Sequence, residues 1–161
     1  MKLYYLDIKN KLIKIAALSV ALCPLPVKGQ SINCIQPMVF GDIVPCGTAG
    51  TVTVNPDGSS ATGGCVTVGG APQANARCVV TQGFPFRPIQ VSVTSPTFTM
   101  NNGGAGVMNV NGFNLITNGG GYTKTVTAPF VNVPIGATAN VGANQAAGTY
   151  SGSFIFSAVL Q

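Results

Sequence analysis

Apolar and polar residues alternate in short runs from residue 37 onward, with a period of two. MVFGDIV puts Met38 and Phe40 on one face, and GTVTV puts Val52 and Val54 together. Asn55-Pro56-Asp57-Gly58 then turns the chain, with proline at the second turn position and glycine at the last. CVTV (65–68) and RCVVTQ (77–82) flank a loop at 69–75, and IQVSV directs Ile89, Val91 and Val93 inward. VMNV and FNLIT flank Asn111-Gly112, a tight-hairpin signal. YTKTVTAPFVNV, TANVGA and YSGSFIFSAVLQ complete the series. In the last run the large apolar set, Phe154, Phe156, Ala158 and Leu160, is expected on the core face. Ser153, Ile155, Ser157 and Val159 are expected on the opposite face. No window keeps the i, i+3, i+4, i+7 spacing of a helix. The glycine-rich stretches 101–106 and 118–121 precede strand patterns rather than helices, so they read as hairpin tips and not as phosphate cradles. About eight or nine short strands, with no linker and no repeat, predict an all-β antiparallel sandwich.

Residues 1–29 break this pattern. Lys2, Lys9, Lys11 and Lys14 form a basic start, Ile15 to Val27 is apolar and uncharged, and Val27 and Gly29 stand at −3 and −1 of a small-residue cut. This is the layout of a secretory signal peptide, and the apolar run is short for a membrane span. The reading assigns 1–29 to a leader and 30–161 to one domain, with no membrane span after cleavage. Removing 29 residues from 161 leaves 132, enough for a hydrophobic core.

The leader also carries most of the charge. The formal +5 of the whole chain falls to Arg77, Arg87 and Lys124 against Asp42 and Asp57. Three cations make neither a nucleic-acid footprint nor a polybasic membrane patch, so neither partner is expected. Four cysteines remain, Cys34, Cys46, Cys65 and Cys78. An even number in an exported chain reads as two disulfides. Cys65–Cys78, symmetric about the 69–75 loop, ranks first among the pairings. Cys46–Cys65 is nearly symmetric about the 55–58 turn. Cys34–Cys46 is demanding if 35–45 is extended, at ~3.3 Å per residue. The connectivity stays open.

Candidate chemistry is sparse. Residues 30–161 contain no His and no Glu, and their only side-chain carboxylates are Asp42 and Asp57. General acid–base catalysis needs groups that titrate near the working pH, and a serine nucleophile needs a base beside it. Without histidine or a C-x-x-C spacing, a zinc site is not expected either. The sequence therefore predicts no enzyme, no cofactor and no metal.

PMVFGDI, AGTVTVNPDGSSATGG, MNVNGF and IGATANVGANQAAGTYSGSFIFSAVL resemble, in that order, the DUF4402 family of exported bacterial β-domain proteins. The most specific part is Gly142, Gln145, Gly148, Tyr150, Gly152 and Phe154 at their family spacing. The family is similar to the spore coat protein U domain and to chaperone–usher pilus subunits. The resemblance therefore implies an Ig-like or pilin-like sandwich in a structural or adhesive, fimbria-like surface subunit, located in the periplasm or outside the cell. It also implies identical or similar subunits and a periplasmic chaperone as partners. Cys78 stands where a core aromatic is expected, which implies a disulfide in place of a packed ring. The alternative is a soluble secreted binding module, for example for glycans. Against it, the chain has no Trp, and Tyr122 and Tyr150 are the only tyrosines after residue 30. Whether the last strand pairs within its own domain or with another molecule is left open.

Intact-mass measurement of the exported protein should show a chain beginning at Gln30. A membrane-bound form that retains residues 1–29 would refute it.

Overall fold

The computed structural model describes residues 29–83, 86–115 and 123–161, with the backbone alone for 123–126. The expected leader and the 118–121 tip lie outside the described residues, the leader except for Gly29. Among the described residues there is no helix, so none is long and apolar enough to cross a membrane.

The molecule is an antiparallel β-sandwich. Its strands are β1 (Ser31–Gln36), β2 (Asp42–Val54), β3 (Ser60–Gly69), β4 (Ala76–Thr81) and β5 (Ile89–Val93). They continue as β6 (Phe98–Asn101), β7 (Val107–Leu115), β8 (Thr123–Val126), β9 (Phe130–Val141) and β10 (Phe156–Leu160). One sheet runs β1-β4-β9-β2-β3, with β7 also on β9 and β6 on β7. The other runs β10-β5-β8.

β9 organises the larger sheet. Phe130–Ile135 pair with Thr81–Ala76 of β4, and Ala137–Val141 pair with Val54–Gly50 of β2. β7 pairs with Ile135–Asn140 and faces β4 across Ile135 and β2 across Thr138. Thus β4 and β2 follow one another along one edge of β9, while β7 takes the other. The sequence pattern suggests two runs here, FVNV and TANV, but they form one strand through Pro134 and Gly136. Pro134 is tolerated where β4 gives way to β2. A Cβ at Gly136 would run into the Val54 carbonyl and the Pro56 ring, so only glycine lets the 55–58 turn lie against β9.

The alternation of β9 builds the core. Val133, Ile135, Ala137, Ala139 and Val141 are all buried. They pack in one cluster with Val52 and Val54 of β2, Val80 of β4, and Ile89, Val91 and Val93 of β5. Phe98, Phe113 and Phe154 add a tilted aromatic trio, with ring centroids 5.2 to 5.9 Å apart.

The described residues hold ten strands, close to the eight or nine expected. Other expectations are corrected. Asn111-Gly112 does not turn a hairpin, because β7 runs straight through it. The β7–β9 register slips there, so that Asn111 faces Thr138 while Asn114 faces Gly136. Gly112 has φ +62°. This is a β-bulge, which inserts one residue and moves the inward set from Met108 and Val110 to Phe113 and Leu115. The same Asn-Gly dipeptide serves a turn or a bulge because both need φ > 0.

Cys65 and Cys78 do not pair. β3 pairs with β2, whereas β4 pairs with β1 and with the first half of β9, so the two strands are not neighbours. The 69–75 loop is thus a crossover rather than a hairpin tip. Cys78 bonds Cys34 across the β1–β4 pair, and Cys46 bonds Cys65 across β2–β3. The second bond spans the register break where Pro45–Gly50 of β2 face Val66–Gly64 of β3. The bridges close separations of 44 and 19 residues. Unfolded-chain entropy assigns them about 4 and about 3 kcal/mol.

The last strand pairs within its own domain, with Phe156–Leu160 against Val93–Ile89. Phe154, Phe156 and Ala158 pack against the core as expected. Leu160 does not, being 46% exposed. β10 is an edge strand, and its end is left uncovered by the sheet opposite.

Burial separates these residues energetically. Ile135→Ala, at a fully buried site, should cost about 2–5 kcal/mol in chemical denaturation. Leu160→Ala should cost under about 1 kcal/mol, since half of that side chain already meets water. Equal costs would contradict the placement of β10.

Candidate functional site

The titratable residues do not converge. Asp42 begins β2 and accepts the Ala71 amide at 3.1 Å. Asp57 lies beyond the other end of the same strand, in the 55–58 turn, where it accepts the Ser59 amide at 2.9 Å and hydroxyl at 2.7 Å. The whole length of β2 separates the two carboxyls, so they cannot share a substrate. The Ser59 hydroxyl and amide hold the Asp57 carboxyl below its usual range. All four cysteines are taken up in bridges. Among the described residues no three of His, Cys, Asp and Glu gather as a metal site. Cys78 sits in the core cluster as a small apolar residue, with its bridge to Cys34 at the sheet edge.

The glutamine and tyrosine of the tail form a polar strap. The Gln145 carboxamide donates to the Val107 carbonyl at 2.9 Å and to the Tyr150 hydroxyl at 2.7 Å, and it accepts the Gly142 amide at 3.0 Å. Tyr150 donates onward to the Ala146 carbonyl at 2.7 Å, four residues back. Asn102, in the β6–β7 tip, accepts the Gly104 and Gly106 amides at 3.0 Å and donates to the Ala147 carbonyl at 3.2 Å. Asn101 and Ser151 exchange backbone bonds at 2.9 and 3.0 Å. The loop after β9 is thereby fastened to the 101–106 tip, and the chain enters β10 from a fixed point. The family-spaced residues Gly142, Gln145 and Tyr150 hold the fold here. Asn102 carries as many of these bonds as Gln145, and sequence reasoning missed it because an Asn before Gly-Gly reads only as a turn.

The surface with the clearest capacity to bind is the outer edge of β10. Thr94 donates to the Ile155 carbonyl and Gln161 to the Pro88 carbonyl, at 2.9 and 2.8 Å. Antiparallel pairing alternates, so Ser157 and Val159 turn their backbone groups toward β5, while Phe156, Ala158 and Leu160 turn theirs away. No strand pairs with that outer edge among the described residues. One cap is present, a 2.8 Å bond from the Gln30 side chain to the Ala158 carbonyl. Ile155 and Val159 stand beside it, 62% and 56% exposed, with Leu160. β1, also an edge strand, adds exposed Ile32 and Ile35. Gln30, the residue before β1, brings the two edges to one side of the sandwich. Residues 151–161 contain no charge and no proline, the usual means of blunting an edge.

A family model described as a domain of unknown function, DUF4402, matches residues 31–159. No curated protein and no solved structure matches the chain.

The scarcity of titrating groups sets the pH response. Residues 30–161 have no histidine or glutamate, and their cysteines are bridged. A carboxyl with a depressed pKa, such as Asp57, contributes stability above its unfolded value near 4 and loses it as pH falls through the folded value. The melting temperature should therefore be flat from about pH 5.5 to 8 and drop only in acid. A transition near pH 6.5 would contradict this.

Proposed function

Because this chain belongs to the DUF4402 family, we propose that it is a non-catalytic structural or adhesive subunit of the bacterial surface, fimbria-like in its assembly. The observation that carries the proposal is the open edge of β10, where Phe156, Leu160 and the Ala158 amide turn away from β5 toward no strand, with apolar flanks at Ile155 and Val159. An extended segment added there would gain main-chain hydrogen bonds, and alternate side chains would find apolar contacts. The partner is an identical or similar subunit. A periplasmic chaperone would shield the same edge before assembly. Two disulfides fit an oxidising compartment, and the basic–apolar leader pattern fits export to the periplasm or cell surface. The reading assigns no reaction to the chain, because residues 30–161 lack the acids and bases that catalysis draws on. The alternative, a secreted β-sandwich binding module for glycans, is favoured by one observation, an uncharged groove on the outer face of the larger sheet.

The test uses residues 30–161 and two edge variants. Ala158→Pro removes an outward N–H and no bond to β5. Val159→Lys places a charge on the edge. Size exclusion and electron microscopy should show concentration-dependent oligomers or fibres for the parent. Both variants should be monomers that keep the parent's circular dichroism. A parent that stays monomeric at its highest soluble concentration, or variants that assemble like it, would sink the proposal.

A further inference from the structure

The outer face of the larger sheet carries a polar array without charge. Gly63, Thr51, Asn140, Asn109 and Thr99 are successive cross-strand partners on β3, β2, β9, β7 and β6, so they form one row five strands wide. Ala61, Thr53, Thr138 and Asn111 form the next row. Neighbouring groups within the rows lie about 4.8 Å apart, and the rows about 6.6 Å apart. The array is internally ordered. Thr53 and Thr138 share a 2.9 Å hydroxyl–hydroxyl bond, Asn140 donates to the Asn109 carbonyl at 3.2 Å, and the Thr99 hydroxyl donates to the Asn109 side chain at 3.2 Å.

A groove of about 590 Å³ opens over the first row. Thr51, Asn109 and Asn140 line it with Gly50, Gly64 and half-exposed Val107, and the Gln145 carboxamide closes one end. That carboxamide is fixed on three sides by Gly142, Val107 and Tyr150, so the end wall is preorganised. The volume lies within the usual range for ligand sites. No lining residue ionises. A phosphate or sulfate would find no cation there, and a cationic ligand no carboxylate. Hydroxyls and carboxamides each donate and accept, which matches the paired donor and acceptor capacity of sugar hydroxyls. Half-exposed Val107 offers an apolar surface to a sugar's C–H face.

We infer that this groove binds an uncharged polysaccharide chain laid across the strands. The inference rests on the glycan-binding alternative rather than on edge assembly. Purified residues 30–161 would be tested for pull-down on insoluble cellulose and chitin, and by NMR titration with dextran and mannan. The parent should bind at least one of these, and binding should persist in high salt. The double variant Asn109→Ala, Asn140→Ala should weaken binding about tenfold, the loss of two hydrogen-bonding groups. Asn132→Ala, on β9 outside the groove, should leave it unchanged. Circular dichroism of each variant verifies folding. Size exclusion of the same samples separates the two readings, since assembly without polysaccharide binding overturns the groove and leaves edge assembly standing. Binding to none of the four polysaccharides overturns the inference. So does binding that salt abolishes, binding equally lost with Asn132→Ala, or a groove occupied by a second copy, seen as an oligomer that the double variant dissolves.

Discussion

Both edges of β9 are hydrogen-bonded over its second half, and the rest of the sandwich depends on that. Its backbone is paired to β4, then β2, on one side and to β7 on the other. A buried strand with an open edge would leave amides and carbonyls without partners, each at a cost of about 1–3 kcal/mol. The handover from β4 to β2 therefore skips only Gly136 on that edge, where the 55–58 turn lies against the strand. The same strand supplies five inward residues to the core, so its pairing and its burial reinforce one another.

The loops that join the sheets are held by neutral polar groups rather than ion pairs. Gln145, Tyr150 and Asn102 satisfy backbone amides and carbonyls that the turns leave exposed. These bonds carry no charge to be screened, so the strap responds little to salt. The two disulfides work differently. Cys34–Cys78 ties the edge strand β1 to the sheet, and Cys46–Cys65 pins β2 to β3 where their ladder breaks.

The near absence of charge has a second consequence. Nature usually blunts sheet edges with lysine, proline or bulges, and β10 has none of these. Exposed Ile155 and Val159 stand along it, and the one cap is the Gln30 side chain on the Ala158 carbonyl. The broad outer face, by contrast, presents threonine and asparagine, which stay hydrated alone. Edge and face are therefore chemically distinct surfaces of the same domain.

The sequence alone was enough for the fold class. Period-two runs such as GTVTV and IQVSV set the strands and named Val52, Val54, Ile89, Val91 and Val93 as core, because side-chain alternation is a local property. The disulfide pairing was decided by tertiary structure. Spacing favoured Cys65–Cys78, but the crossover that carries the chain from β3 past β2 to the first half of β9 is a non-local event that spacing cannot register. The same holds for Asn111-Gly112, where a positive φ is legible but its use as bulge or turn depends on the strand opposite. Leu160 follows the inward alternation yet stays half-exposed, because alternation selects a face and only the opposing sheet supplies the cover. Thr51, Asn109 and Asn140 look unrelated in the chain, and the register of β2, β9 and β7 alone places them in one row.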